Sequence, residues 1–312
     1  MTVQATTPAA RVALILILTL VWGCNWPVLK MGVTELAPLT FRGLTLPLAA
    51  VGMLLVAHMS GDSTRVPRAL WKRLGVLAFF NIAAWNGLVL FGVQQLPAGR
   101  SAILAYTMPI WATMIATIIL HERLSRQKLA GLVLGISGMA VLIGEQISVV
   151  RAAPLGALMI LGAAIAWAIG TVLLRKWQPR IAQNTLSGWM MLLGWLPLLL
   201  AAPLFDPQPL VTTLATLSAR GWFALAYNVF LAGTVAHWAW FTLARTLPVA
   251  ASSLSSLPVP VVGVFSGIVL LGERPGVQEW LALGLVVLAL FVVLYQPARR
   301  TPPSAAPIAP DD

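Results

Sequence analysis

Charge is what this sequence has least of. Only 9% of its 312 residues are charged, against about 25% in a soluble domain, while 59% are hydrophobic and the mean hydropathy is +0.88. So few ionic groups cannot cover a folded chain with solvated side chains, whereas lipid accepts an apolar exterior. Acids are scarcest: Glu35, Asp62, Glu122, Glu145, Asp206, Glu273, Glu279, Asp311 and Asp312 all map to loops, span ends or the tail. A single cysteine, Cys24, excludes an intrachain disulfide framework. The three histidines lie far apart and no H-E-x-x-H pair occurs. With no nucleophile–base or metal-ligand set, an intramembrane enzyme is not expected, and no cofactor or metal is implied. Nor is there a filter of carbonyls or charged rings, so a channel is disfavoured.

What is present is long apolar runs, each near the roughly 20 residues a transmembrane helix needs. They fall at about 11–29, 36–59, 72–94, 98–120, 127–144, 154–175, 185–204, 219–244, 248–271 and 277–295. The runs are continuous rather than alternating, which excludes a barrel. The reading is an all-α polytopic membrane protein with ten transmembrane helices. Residues 1–10 form a short N-terminal segment, the first run is a retained span rather than a signal peptide, and the Pro/Ala-rich stretch 297–312 is a disordered tail.

The net charge of +11 has a topological explanation. With the N-terminus in the cytoplasm, the cytoplasmic side receives 14 basic residues and the other side 5, namely Lys30, Arg100, Arg151, Arg220 and Arg274. The positive-inside rule then puts both termini in the cytoplasm. No nucleic acid is needed as a partner; a monomer is compatible with the sequence, and Gly131 and Gly135 form a small-x-x-x-small pair in the fifth span that could support a helix contact within or between subunits.

An internal repeat organises the runs. Residues 96–123 align without a gap on 247–274, matching Leu96-Pro97 to Leu247-Pro248, Ser101 to Ser252, Pro109 to Pro260, Leu120 to Leu271 and Glu122-Arg123 to Glu273-Arg274. The eight-residue spacing from Trp22 to Lys30 recurs from Trp167 to Arg175. The repeats are 11–147 and 148–296. Five spans per repeat is an odd number, so the second copy enters the membrane upside down. Inverted repeats suit alternating access to a midplane site.

Candidate site residues follow from depth. Arg42 is the one intramembrane ion; it could bind a substrate carboxylate, but snorkelling or pairing with backbone carbonyls is the favoured reading. With no buried acid, facilitated transport stands level with proton coupling, for which His237 is the titratable candidate. Asn25, Asn81 and Asn86 are mid-span amides. Ser252, Ser253, Ser255 and Ser256 precede Pro258 and Pro260 and either line a cavity or pack helices closely. Among 13 tryptophans, Trp71, Trp177, Trp222 and Trp280 fit the interfacial belt. Trp22, Trp85, Trp111, Trp167 and Trp238 lie deeper, near Tyr106. They are core residues or the walls of an aromatic pocket for a neutral or zwitterionic solute.

The chain resembles the drug/metabolite transporter superfamily of EamA type. The resemblance rests on Trp22-Gly23-Cys24-Asn25-Trp26, Ala37-Pro38 with Arg42, Leu120-His121-Glu122-Arg123 and Leu271-Gly272-Glu273-Arg274, in repeat order. Within it the chain is most similar to the YddG-type exporters of aromatic and other apolar amino acids. That resemblance implies a bacterial inner-membrane location, surrounding lipid, and an amino acid as the small-molecule substrate. It also implies a central cavity lined by spans one, three, four, six, eight and nine. Trp22, Asn25, Trp85, Asn81, Tyr106, Trp111, Trp167, His237 and Ser253 fall on those spans.

Overall fold

The computed structural model describes residues 8–122, 124–148, 154–206, 214–246 and 258–294. The N-terminal segment, the tail and the serine run with Ser253 lie outside them. Every regular element among the described residues is helical. In chain order these are α1 Pro8–Glu35, α2 Pro38–Met59, α3 Arg68–Gln95, α4 Ala98–Ile119, α5 Arg126–Ser148, α6 Pro154–Trp177, α7 Gln183–Phe205, α8 (219–246), α9 Val259–Leu271 and α10 Val277–Leu294. Six of them, α1 to α4 with α6 and α7, are long and apolar enough to cross a membrane. Leu55, Leu158, Leu200, Phe230, Val269 and Leu281 point large apolar side chains outward. Contiguous apolar exteriors of that kind are rare on soluble monomers and suit a lipid environment.

The helices start and stop for local reasons. Pro38 opens α2, where its missing N–H costs nothing, and the Asp206 carboxylate accepts from Thr40 N at 2.7 Å. Ser218 caps α8, its Oγ accepting from Arg220 N and Gly221 N while donating to Glu35 at 2.5 Å. At the end of α9, Gly272 takes φ +68°. This left-handed turn aims Glu273 back at the start of α4, where its two oxygens accept from Ala98 N (2.5 Å) and Gly99 N (3.0 Å). His121, the repeat partner of Gly272, also turns left-handed at φ 54°. The Glu273 contacts are charge-assisted caps at a helix N-terminus. Glu273→Ala is expected to cost about 1–2 kcal/mol and to lower the thermal unfolding midpoint in detergent.

Three helices depart from regular α geometry. The fourth span breaks at Tyr106–Thr107 just before Pro109, the kink that proline foreshadows because it cannot donate to the preceding turn. Two further irregularities carry no sequence signal of that kind. Phe79–Ala84 in α3 and Tyr227–Val235 in α8 are π-helical, at corresponding places in the two repeats, and each contains an asparagine, Asn81 or Asn228.

Packing also follows the repeat. α1 packs on α9 as α6 packs on α4; α1 on α8 as α6 on α3; α2 on α8 as α7 on α3. The helices α2 and α7, α4 and α9, and α5 and α10 pack on their own counterparts. For these pairs, exchanging each helix for its partner five places on gives another packed pair, the pattern a twofold relation between halves produces. The core between them is built from Leu18, Phe41, Met53, Leu90, Ile103, Leu104 and Ile110, all fully buried.

Candidate functional site: a central tryptophan-lined cavity

The two halves enclose a cavity of about 130 Å³. Its indole walls come from Trp22 and Trp26 of α1, Trp85 of α3 and Trp167 of α6. Trp85 and Trp167 face each other with ring centroids 5.0 Å apart. Trp22 meets His237 edge-on at 5.3 Å. Tyr106 and Met108 enter from the break in α4, and Thr45, Ala49, Asn86, Asn228 and Gly233 complete the lining.

The π turn of α8 explains how Trp22 and His237 are held. A π segment shifts the hydrogen-bond ladder by one residue and can leave a carbonyl open to side chains. Here that carbonyl is Ala232 O. Trp22 donates to it from Nε1 at 3.3 Å, and His237 Nδ1 lies 2.8 Å from it. A carbonyl only accepts, so Nδ1 carries the proton. Gly233 follows Ala232 where α8 packs against α2. A Cβ there would stand 2.6 Å from Ala49 Cβ and 2.6 Å from Asn228 O.

Of the candidate residues read from sequence, Trp22, Asn25, Trp85, Tyr106, Trp167 and His237 come together around this cavity. Asn81 instead turns against Gly170 of α6, its Oδ1 buried and without a partner among the described residues. Trp111 bonds from Nε1 to Thr107 Oγ1 at 3.2 Å within α4 and lies outside the lining. Trp238, read as deep, faces outward and is 38% exposed. Asn86 lines the cavity while donating from Nδ2 to Ile82 O at 2.8 Å.

Arg42 corrects the favoured sequence reading. It neither snorkels nor pairs with backbone carbonyls. It is 7% exposed and reaches inward to the cavity wall, where Nη1 donates to Asn228 Oδ1 at 2.9 Å and lies 3.5 Å from Thr45 Oγ1. Its placement on α2 opposite α8 is what directs it inward, and one sequence could not reveal that pairing. Asn228 is a second residue missed by depth reasoning. Its one signal was its position on the eighth span, where the third span carries Asn81.

No Asp or Glu among the described residues lines the cavity. The acids among the described residues sit at the periphery with partners: Glu35 with Ser218, Glu122 with Arg175 at 2.7 Å, Glu273 with the start of α4, and Glu279 with Arg100. Lys30, at the end of α1, donates to Val93 O, Gln94 O and Leu96 O at 2.7–2.9 Å, satisfying the last carbonyls of α3. No group of His, Cys, Asp and Glu among the described residues could hold a metal.

The EamA-like transporter family model matches the chain twice, over residues 10–144 and 154–295. The chain belongs to the EamA-like transporter family. Two matches in tandem fit the repeat seen in the packing. Among EamA-like relatives, the "Probable amino-acid metabolite efflux pump" of Salmonella typhimurium is 30% identical, covering 90% of this chain and 94% of that protein. The uncharacterized transporter YoaV of Bacillus subtilis is 26% identical, covering 92% of this chain and 97% of its own. A solved structure, described only as "Crystal structure of protein", superposes with a TM-score of 0.65 at 18% identity, covering 92% and 98% of the two chains; it shares the fold. An EamA-like chain is a multi-pass membrane transporter of a small molecule, and the central cavity is where its two halves offer space.

Proposed function

We propose that the protein exports amino acids, chiefly aromatic and other large apolar ones, by alternating access through the central cavity. In this reading the chain crosses the bacterial inner membrane ten times, as two inverted five-helix halves with both termini cytoplasmic. The swapped packing of helices supports the twofold relation that alternating access uses. The 14-to-5 sidedness of basic residues supports the orientation. A relative whose name describes an amino-acid metabolite efflux pump agrees with the substrate class, and relatives named as inner membrane transporters agree with the location.

The observation that carries the proposal is the cavity's chemistry. Indole walls with a few amide groups suit an apolar side chain on a small polar head. A cavity without a carboxylate among its lining residues gives no counter-charge to a lipophilic cation. Trp22, Asn25, Trp85, Tyr106, Trp167 and His237 are the proposed contact residues.

The test is counterflow of labelled phenylalanine into proteoliposomes of the purified protein, competed by a panel of amino acids with and without a pH gradient. Competition by aromatic and large apolar amino acids is the expected result. Dependence on the gradient would assign coupling, with His237→Gln removing it; independence would assign facilitated transport. Folded protein that takes up no amino acid would sink the substrate assignment in favour of another small apolar metabolite.

A further inference from the structure

Arg42 is bonded on one side only. Nη1 is occupied by Asn228 Oδ1 and Thr45 Oγ1. The opposite edge of the guanidinium, Nε with Nη2, is the pair of parallel donors that grips a carboxylate bidentately. Nε is buried and has no hydrogen-bond partner among the described residues, and neither bond to Arg42 involves Nη2. Leaving a charged donor buried and unsatisfied is costly. Aromatic support among the described residues comes from Phe41, whose ring centroid is 5.6 Å from Cζ. Across the same cavity, Asn25 Oδ1 is likewise buried without a partner. Asn25 and Arg42, each with a buried polar atom that lacks a partner among the described residues, thus line one space walled by indoles.

We infer that Arg42 is the anchor for the substrate's carboxylate, with Asn25 Oδ1 accepting from the ammonium group of an α-amino acid whose side chain lies among Trp22, Trp85 and Trp167. The inference rests on the cavity being the transport site, as proposed above, and it names the charge that the site selects. Asn228 holds the guanidinium from behind through Nη1, and its own amide is fixed by donation to Ala224 O at 3.1 Å. The carboxylate therefore completes the arginine without displacing its existing partner. A bare amine of the same body meets an uncompensated cation and is repelled.

The experiment deletes one charge of the ligand at a time. Phenylalanine, 3-phenylpropionate and phenethylamine are titrated against the purified wild-type protein, Arg42→Gln and Arg42→Lys, reading indole fluorescence, with thermal unfolding as the check on folding. In the wild type, phenylalanine is expected to bind most tightly, 3-phenylpropionate next, and phenethylamine at least about tenfold more weakly, the scale of one charge-assisted contact. Arg42→Gln is expected to weaken both carboxylates about tenfold or more and to relieve the repulsion of phenethylamine, so the order collapses. Arg42→Lys is expected to restore it in part. An arginine that merely tied α2 to α8 would not change the ranking by ligand charge. Phenethylamine binding the wild type as well as phenylalanine would overturn the inference, as would survival of the order in Arg42→Gln, or binding of none of the three to folded protein. Arg42-dependent binding of 3-phenylpropionate without any transport of amino acids would keep the carboxylate anchor and discard the amino-acid reading.

Discussion

Trp167→Ala is expected to reduce phenylalanine counterflow by about 100-fold in protein that still folds. Truncating a large aromatic that packs against its partner costs about 3 kcal/mol, and each 1.4 kcal/mol is roughly tenfold in affinity. The ring faces Trp85 across the cavity at 5.0 Å, and no hydrogen bond ties its indole to a neighbour among the described residues, so its removal takes away contact surface and little else. Trp167→Phe should recover most of the activity by keeping an aromatic face. Trp22→Ala should abolish transport too, but it also removes the donor to Ala232 O, so its folding must be checked separately. Initial counterflow rates, with unfolding midpoints for each variant, decide the matter. Full transport by folded Trp167→Ala would remove that residue from the site.

Gly233→Ala is expected to disrupt the cavity wall with a single methyl. The added carbon would approach Ala49 Cβ and Asn228 O to 2.6 Å each, and neither atom sits at the end of a flexible side chain. Overpacking costs about 1–3 kcal/mol where neighbours can yield; here α2 and α8 must separate to clear Ala49 and the π turn itself must shift to clear Asn228 O, so the upper end is expected. The separation would also draw Asn228 away from Arg42, since Gly233 and Asn228 share the π turn of α8 while Arg42 and Ala49 share α2. The expected result is a lower unfolding midpoint together with weakened binding of phenylalanine. An unchanged midpoint would mean that α2 and α8 have slack at their crossing.

What sequence revealed and what it concealed divide along a physical line. Apolar length and loop charge are local, so the helices around Trp22, Trp85 and Trp167 were legible, as was the break announced by Pro109. The repeat was legible because paired markers such as Glu122-Arg123 and Glu273-Arg274 keep register. Direction around a helix was not. Arg42 read as a snorkelling residue because nothing local says that α2 leans on α8, and Asn81 read as a lining residue although it turns toward Gly170. The π turns escaped for the same reason: they are settled by which side chains compete for a carbonyl, and Trp22 lies 210 positions from the Ala232 oxygen it reaches.

Each π turn is, in genetic terms, one codon more than a regular helix would carry. Removing a single residue from 227–235 would close the wide turn into α geometry with the helix beyond it facing nearly the same way, and would take away the open Ala232 carbonyl that Trp22 and His237 share; the same loss from the regular helix would instead rotate everything beyond it by about 100°. The stretch 79–84 behaves in the same way, with Trp85 and Asn86 as the residues that keep their direction. These two short windows are where a lost codon is absorbed in register, its cost falling on the carbonyl that the wide turn leaves open and not on the helix face beyond.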